Sequence, residues 1–529
     1  MGNLRHKIFW PPFLLMVIAM FYGFYDGDAF ILAVSKTNSW IMDTFGWLMS
    51  ITALAMLLIL IFIFFSKLGS VKIGGRDAMP MLTGWRWFAI TLCTSVGGGF
   101  LLWATCEPLY HIHNPPASLG LSAGSADSAR FALSTMFLHW SFVPFAIYTL
   151  PAVTFALFYY NMGRPFSISS MLSPLFGDTI PSWVKTLADA VCLYALAVGM
   201  IASFGQGILT LEGGISHMLG FDINRVLSAV IVLMVLGVFI LSSTKGLIKG
   251  LRILSGWNVF IFFLILAFLL IMGPTLFIFN FGCDAMAEYF GKFPEKILFT
   301  GIASGDPWPK NWSEFYWAFW MAWAPVTGMF LGRIGYGYSV RSFILMNFLV
   351  PAAFAIIWTS IVSGTIIHME MIQKIGLNGI LMEKGPESLA YVMFSKYPFE
   401  SLLTVLFFCS TFITYVIAMD SSTNAMGGLC SKGISPESPE AGPGIKITWG
   451  VLIGCISWLI ISYSPSGIQG IKMSIGLGGL PILFFLIAMT FAALKTAINP
   501  DMLDPIETER KEEENRCQQA EGENFLTGG

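Results

Sequence analysis

The chain has 529 residues, of which 56% are hydrophobic, 15% aromatic and only 11% charged, with a formal net charge of −2. Soluble domains carry roughly 25% charged residues, so this composition excludes a soluble multidomain enzyme, a disordered chain and a nucleic-acid-binding protein. A mean hydropathy of +0.73 agrees: the chain reads as an all-α polytopic membrane protein.

A bilayer core of about 30 Å takes roughly 20 apolar residues per helix. In chain order the sequence predicts twelve spans, over 9–25, 41–65, 87–110, 131–159, 184–211, 226–242, 253–277, 315–331, 343–367, 401–419, 447–461 and 471–497. The first is not a cleaved signal peptide, because Pro11 and Pro12 open it and Phe21-Tyr-Gly-Phe24 is a poor cleavage site. Basic residues fall in alternate loops. Arg5 and Lys7 precede span 1; Lys67, Lys72, Arg76 and Arg86 follow span 2; Arg164 and Lys185 follow span 4. Lys245, Lys249 and Arg252 follow span 6, Arg333 and Arg341 span 8, and Lys432 and Lys446 span 10. Positive short loops mark the cytoplasmic side, so both termini are expected inside a cell inner (plasma) membrane. The tail 499–529 holds nine acids and three bases and is expected to be disordered and repelled by anionic lipid. The eight cysteines mostly lie in apolar runs without paired spacing, as small buried hydrophobes.

Two spans carry interruptions. Span 3 contains Ser95-Val-Gly-Gly-Gly99, with Val96, Gly97, Gly98 and Gly99 expected to unwind, and span 8 contains Ala324-Pro-Val-Thr-Gly328. Irregular backbone at membrane depth is tolerated only where it lines a cavity. If spans 3–7 and 8–12 are two five-helix repeats after two leading helices, both breaks fall in the first helix of a repeat, the pattern of a transporter site at the midplane. Close helix packing at small residues and an ordinary proline kink are the plainer reading. The corresponding division is 1–8 N-terminus, 9–80 leading helices, 81–280 first repeat, 281–314 extracellular loop, 315–498 second repeat and 499–529 tail.

Aromatic residues crowd the same spans. Trp317, Trp320 and Trp323 recur every three residues, turning by about 60° each time along one flank of a helix. Trp140, Pro144 and Tyr148 recur every four residues on span 4, and Tyr110 ends span 3. An interfacial belt accounts for Trp10 and Trp312, but Trp320 and Trp323 lie two to three turns deep. A dry box of aromatic faces suits a quaternary ammonium, which has no hydrogen bond to donate, through cation–π attraction of about 2 kcal/mol per desolvated contact.

The segment Phe315-Tyr-Trp-Ala-Phe-Trp…Trp323-Ala-Pro…Gly328-Met-Phe…Arg333-Ile resembles the signature of the betaine/carnitine/choline transporters, as do Phe137-Leu-His-Trp140, Glu107-Pro108 and Asp420-Ser421. The resemblance runs from span 1 to span 12. It implies a five-plus-five inverted repeat, alternating access, a homotrimer in the lipid bilayer and trimethylammonium substrates. By position, the substrate box it implies is Tyr110, Trp140, Tyr148, Trp320 and Trp323, with Phe145 and Phe319 where the family has tryptophan. Ile417 and Ala418 stand where the sodium-coupled members have adjacent Thr and Ser hydroxyls, so the chain is similar to the sodium-independent carnitine exchangers, as Tyr110-His-Ile-His-Asn-Pro-Pro116 also is. Those exchangers place an arginine where this chain has Asn258. Gly97-Gly-Gly99 lacks the aspartate of some choline carriers, which favours a zwitterion (carnitine, γ-butyrobetaine or glycine betaine) over choline.

Glu107, Asn258, Thr327 and Asp420 are the candidates for coupling or structural roles, since intramembrane acids are functional suspects and equally hold helix-end amides. His139 reads first as a helix-contact residue. The expected function is secondary transport by exchange or sodium-independent uptake, with a sodium-coupled betaine or choline symporter as the alternative and an intramembrane enzyme or channel below it. The chain has no His-Glu-x-x-His pair, Gly-x-Ser-x-Gly elbow or phosphate loop, so no catalytic residue, cofactor or metal is expected. It also lacks the charge rings or repeated filter of a channel. The acidic tail argues for catabolic supply or precursor/product exchange over osmotic uptake.

Overall fold

In lipid, backbone groups must be paired within the chain, which leaves helices as the economical solution for apolar runs of this length. The computed structural model describes residues 4–95, 99–177, 180–245, 248–432 and 441–503. Among the described residues it has no strand, only isolated bridges of Leu4 with Ser431 and Lys72 with Ser339. The long helices are α1 (His6–Tyr25), α2 (Gly27–Phe65), α3 (Gly84–Ser95), α4 (Gly99–His113), α5 (Ala126–Trp140), α6 (Phe142–Tyr160), α7 (Ser182–Leu219) and α8 (Arg225–Lys245). There follow α9 (Ile248–Met272), α10 (Thr275–Gly291), α11 (Ser313–Ile334), α12 (Val340–Met371), α13 (Glu400–Cys430), α14 (Pro443–Tyr463) and α15 (Gly467–Ile498).

Among the described residues nine helical stretches are long and apolar enough to cross a membrane, or ten if the bent pair α9–α10 is one span. Their outward faces carry exposed Leu14, Ile18 and Phe21 on α1, Leu233 and Leu241 on α8, and Phe484 and Phe491 on α15, a surface fit for lipid rather than water. Two expected spans stand apart from that set. Residues 96–98, in the middle of 87–110, lie outside the described residues. The other, α11, is wrapped by α6, α15, α7 and α2. Its Trp, Tyr, Gly and Pro residues give it weak apolarity, and a helix enclosed by protein needs no more.

Four expectations about spans are corrected. Span 2 begins at Gly27, not residue 41, because the Asp26 carboxylate caps it by accepting from Ala29 N at 2.9 Å. Span 4 is not one helix: it is interrupted at Ser141 (φ −116°, ψ −113°), three residues before Pro144. Span 7 ends at Met272, where Gly273-Pro274 turns the chain by 103° into α10, so part of the expected extracellular loop is helical. Span 8 is unbroken through Pro325. Gly328 and Gly332 act as packing surfaces there: a Cβ on them would stand 2.7 Å from Pro151 Cβ and from the Ala152 carbonyl, respectively. They let α11 press against α6, the plainer of the two readings.

Each proline inside a helix removes a donor and strands the carbonyl four residues earlier. Pro108 strands Ala104 O, which accepts from Ser363 Oγ on α12 at 2.8 Å. Pro351 strands Asn347 O in a π-helical turn (Leu345–Leu349), and Thr149 Oγ1 on α6 donates to it at 2.9 Å. Thr91 Oγ1 on α3 donates to Asn347 Oδ1 at 3.0 Å, so the side chain and carbonyl of one residue tie it to α3 and α6. Ser363→Ala and Thr149→Val are each expected to cost about 1–3 kcal/mol by leaving a buried acceptor unpaired. The measurement is the unfolding midpoint of purified protein in detergent, with Thr37→Val, an exposed hydroxyl bonded to its own helix at Ala33 O, as the unaffected control.

Candidate substrate site

Glu107, beside Pro108 on α4, is fully buried. Its Oε1 meets His139 Nδ1 at 2.6 Å and His111 Nε2 at 3.1 Å, and its Oε2 accepts from Trp140 Nε1 at 2.9 Å and Tyr316 OH at 2.5 Å. Four donors from α4, α5 and α11 leave the carboxylate no free lone pair in its interior. With Nδ1 donating, His139 Nε2 is the acceptor and takes the Ser313 hydroxyl at 3.0 Å. Glu107, His111 and His139 have the donor types of a metal site. Ligand atoms around tetrahedral zinc, with bonds near 2.0–2.1 Å, stand about 3.3 Å apart; the 2.6 Å contact of His139 with Glu107 instead has a proton between its atoms.

The break at Ser141 sets the aromatic geometry. It frees the His139 carbonyl, and Trp320 Nε1 donates to it at 3.0 Å, which fixes that indole between α5 and α6. Trp140 meets Trp320 at 5.2 Å between centroids and 90°, and Tyr148 meets Trp320 at 5.6 Å and 81°. Phe100 and Tyr316 press on Trp140 at 4.6 and 5.3 Å. Edge-to-face pairs of this kind add about 0.5–1.5 kcal/mol beyond burial. Trp140, Tyr148 and Trp320 are thus brought together.

The other expected box residues take separate places. Phe319 stays with Phe315 (6.2 Å) and Trp320 on its own helix, and Phe145 is buried in α6. Trp323 is half-buried against α7, where a Cβ on Gly199 would stand 3.0 Å from its Nε1. Tyr110 joins Trp312 (5.5 Å) near the end of α4, and Lys472 Nζ sits 3.5 Å over the Trp312 ring. Gly99 is the first residue of α4, whereas Val96, Gly97 and Gly98 lie outside the described residues. Asn258 donates to Thr414 Oγ1 at 2.7 Å and accepts from Ser410 Oγ, tying α9 to α13. Asp420 pairs with Lys446 at 2.6 Å and takes Ser243 Oγ at 3.2 Å, joining α13 to α14 and α8. Thr327 is buried on α11.

Above this cluster a cavity of about 360 Å³ is lined by Arg130, Phe131, Glu288, Lys296 and Trp308 and reaches Ser313. Burial pushes the Lys296 ammonium down to about 8, against the pull of Glu288. The polar chain from Ser313 through His139 to Glu107 connects the cavity with the aromatic group.

A family model described as BCCT, betaine/carnitine/choline family transporter, matches residues 7–501. The chain belongs to this family of transporters. It is similar to the glycine betaine transporter OpuD of Bacillus subtilis (26% identical, over 93% of this chain and 95% of that one). It is likewise similar to the betaine/ectoine transporter LcoP of Corynebacterium glutamicum (28%, 93% and 78%) and to the high-affinity choline transport protein of Escherichia coli K12 (27%, 88% and 69%). The chain is therefore a multi-pass membrane protein of a family whose relatives move quaternary ammonium and related compounds.

Sequence reading passed over Tyr316 and Ser313, hidden inside a run of conspicuous tryptophans, and Lys472, a lone cation in an apolar span. Tyr316→Phe is expected to lower stability by about 1.5–3 kcal/mol, the worth of a hydrogen bond to a charged group. In a double-mutant cycle with Glu107→Gln the two losses should fall short of additive. Denaturant unfolding of the three variants measures both.

Proposed function

We propose that this chain is a secondary transporter of a zwitterionic quaternary ammonium compound (carnitine, γ-butyrobetaine or glycine betaine) that works by alternating access, without sodium, through exchange or facilitated uptake. The observation that carries the reading is the convergence of Trp140, Tyr148 and Trp320 in the protein interior. Aromatic faces attract a methylated onium without needing a proton from it. Glu107, the acid beside them, has both oxygens engaged, so a ligand of net positive charge finds no free counter-ion, whereas a zwitterion carries its own.

Sodium independence draws support from α13: Ile417 and Ala418 offer no side-chain oxygen, and a hard cation needs several. The second reading, sodium-coupled symport, is favoured by Asn258, an uncharged residue bonded to Ser410 and Thr414 where an exchanger would hold a fixed cation. The proposal includes twelve spans in two five-helix inverted repeats (81–280 and 315–498), cytoplasmic termini and a homotrimer. The matched lengths of α8 and α14, 21 residues each in the fourth position of either repeat, support the repeat.

Two measurements test this. Tryptophan fluorescence titrated with carnitine, γ-butyrobetaine, glycine betaine, choline and taurine should respond to the onium zwitterions. Trp320→Ala should weaken that binding roughly thirtyfold, the equivalent of about 2 kcal/mol, and Trp320→Phe by less. Uptake into proteoliposomes should persist when potassium replaces sodium; strict dependence on sodium overturns the exchange reading.

A further inference from the structure

Gln206 sits on α7, fully buried, and neither its Nε2 nor its Oε1 has a hydrogen-bond partner. A primary amide with two donor hydrogens and an acceptor is costly to bury unpaired. The amide is aimed at a definite place. A Cβ built on Gly99, at the start of α4, would stand 2.8 Å from Gln206 Oε1, 3.2 Å from Trp140 Cη2 and 3.6 Å from Trp103 Cδ1. The Gln206 amide and the Trp140 and Trp103 rings therefore close on one point beside Gly99, where a side chain has no room.

We propose that Gln206 reads the carboxylate end of the transported zwitterion, donating from Nε2 while the onium end lies against the Trp140–Trp320–Tyr148 rings. This rests on the onium reading above and adds to it the residue that distinguishes a carboxylate-bearing substrate from a bare cation. The chemistry suits the assignment. Trp140 borders both regions, with Cη2 beside Gly99 and its ring against Trp320, so a short zwitterion lying along it meets the amide at one end and the rings at the other. A neutral amide donor holds a carboxylate through hydrogen bonds without the fixed positive charge that would oppose an onium a few ångströms away. The Glu107 oxygens already hold four donors, so neither is open to contact the onium.

The test uses purified full-length protein and three probes: glycine betaine, choline and tetramethylammonium. Gln206→Leu removes both polar atoms, and the expected result is at least a tenfold weaker Kd for glycine betaine, with choline and tetramethylammonium within about twofold of wild type. Gln206→Glu keeps the shape and adds an anion; it should also weaken glycine betaine and tighten tetramethylammonium, and it serves should the leucine variant fail to fold. Equal weakening of all three probes would make Gln206 a structural residue and overturn the proposal, as would no change in any. Choline weakened as much as glycine betaine would show a hydroxyl being read, which also overturns the carboxylate assignment. Wild-type protein that binds none of the probes sinks the onium reading itself, and this site with it.

Discussion

A carboxylate stripped of water is stable only if donors replace every hydrogen bond it has lost, and Glu107 imposes that demand on the centre of this protein. His111, His139, Trp140 and Tyr316 meet it from three helices. Two of those donors are also members of the aromatic group or its immediate support, so the placement of ring faces follows from the solvation of one acid. Removing the acid would strand four donors at once, a larger disturbance than losing any single ring.

The same accounting governs the backbone. Pro108, Pro351 and the Ser141 break each release a carbonyl, and each carbonyl is claimed by a side chain from another helix: Ser363, Thr149 and Trp320. Helix irregularity here is therefore a source of tertiary specificity. A regular helix exposes only side chains to its neighbours, whereas an interrupted one offers fixed acceptors that a single donor in a single rotamer can reach. Trp320 is held in that way, which is why its ring lies across Trp140 and Tyr148 and not along its own helix.

Most of the helical architecture is legible in apolar run length, because lipid makes that signal strong. Its failures have identifiable causes. The cap at Asp26 extended α2 through polar residues such as Lys36 and Asp43, which a composition-based boundary stops at. Span 4 broke at Ser141, three residues before Pro144, although its apolar run is continuous, and Pro325 left α11 unbroken. In the site, Trp140, Tyr148 and Trp320 were visible as periodic aromatics. Trp323 had the same appearance yet packs beside Gly199 of α7, since periodicity fixes a helix face and not what stands opposite it. Gln206 gave no signal at all: one amide in an apolar run acquires meaning only when its missing partners are seen.

The length of α2 bears on how the molecule can move. Its 39 residues at 1.5 Å each reach about 58 Å, beyond the roughly 40–45 Å of a bilayer with its headgroups. Unless it projects into solvent, such a rod must lean by about 40°, drifting sideways by a distance comparable to the membrane's thickness. Along that diagonal it touches α15, α6, α11 and α1, elements from opposite halves of the chain. Any sliding of one half past the other must be absorbed by this brace, so its stiffness limits the travel open to the whole bundle.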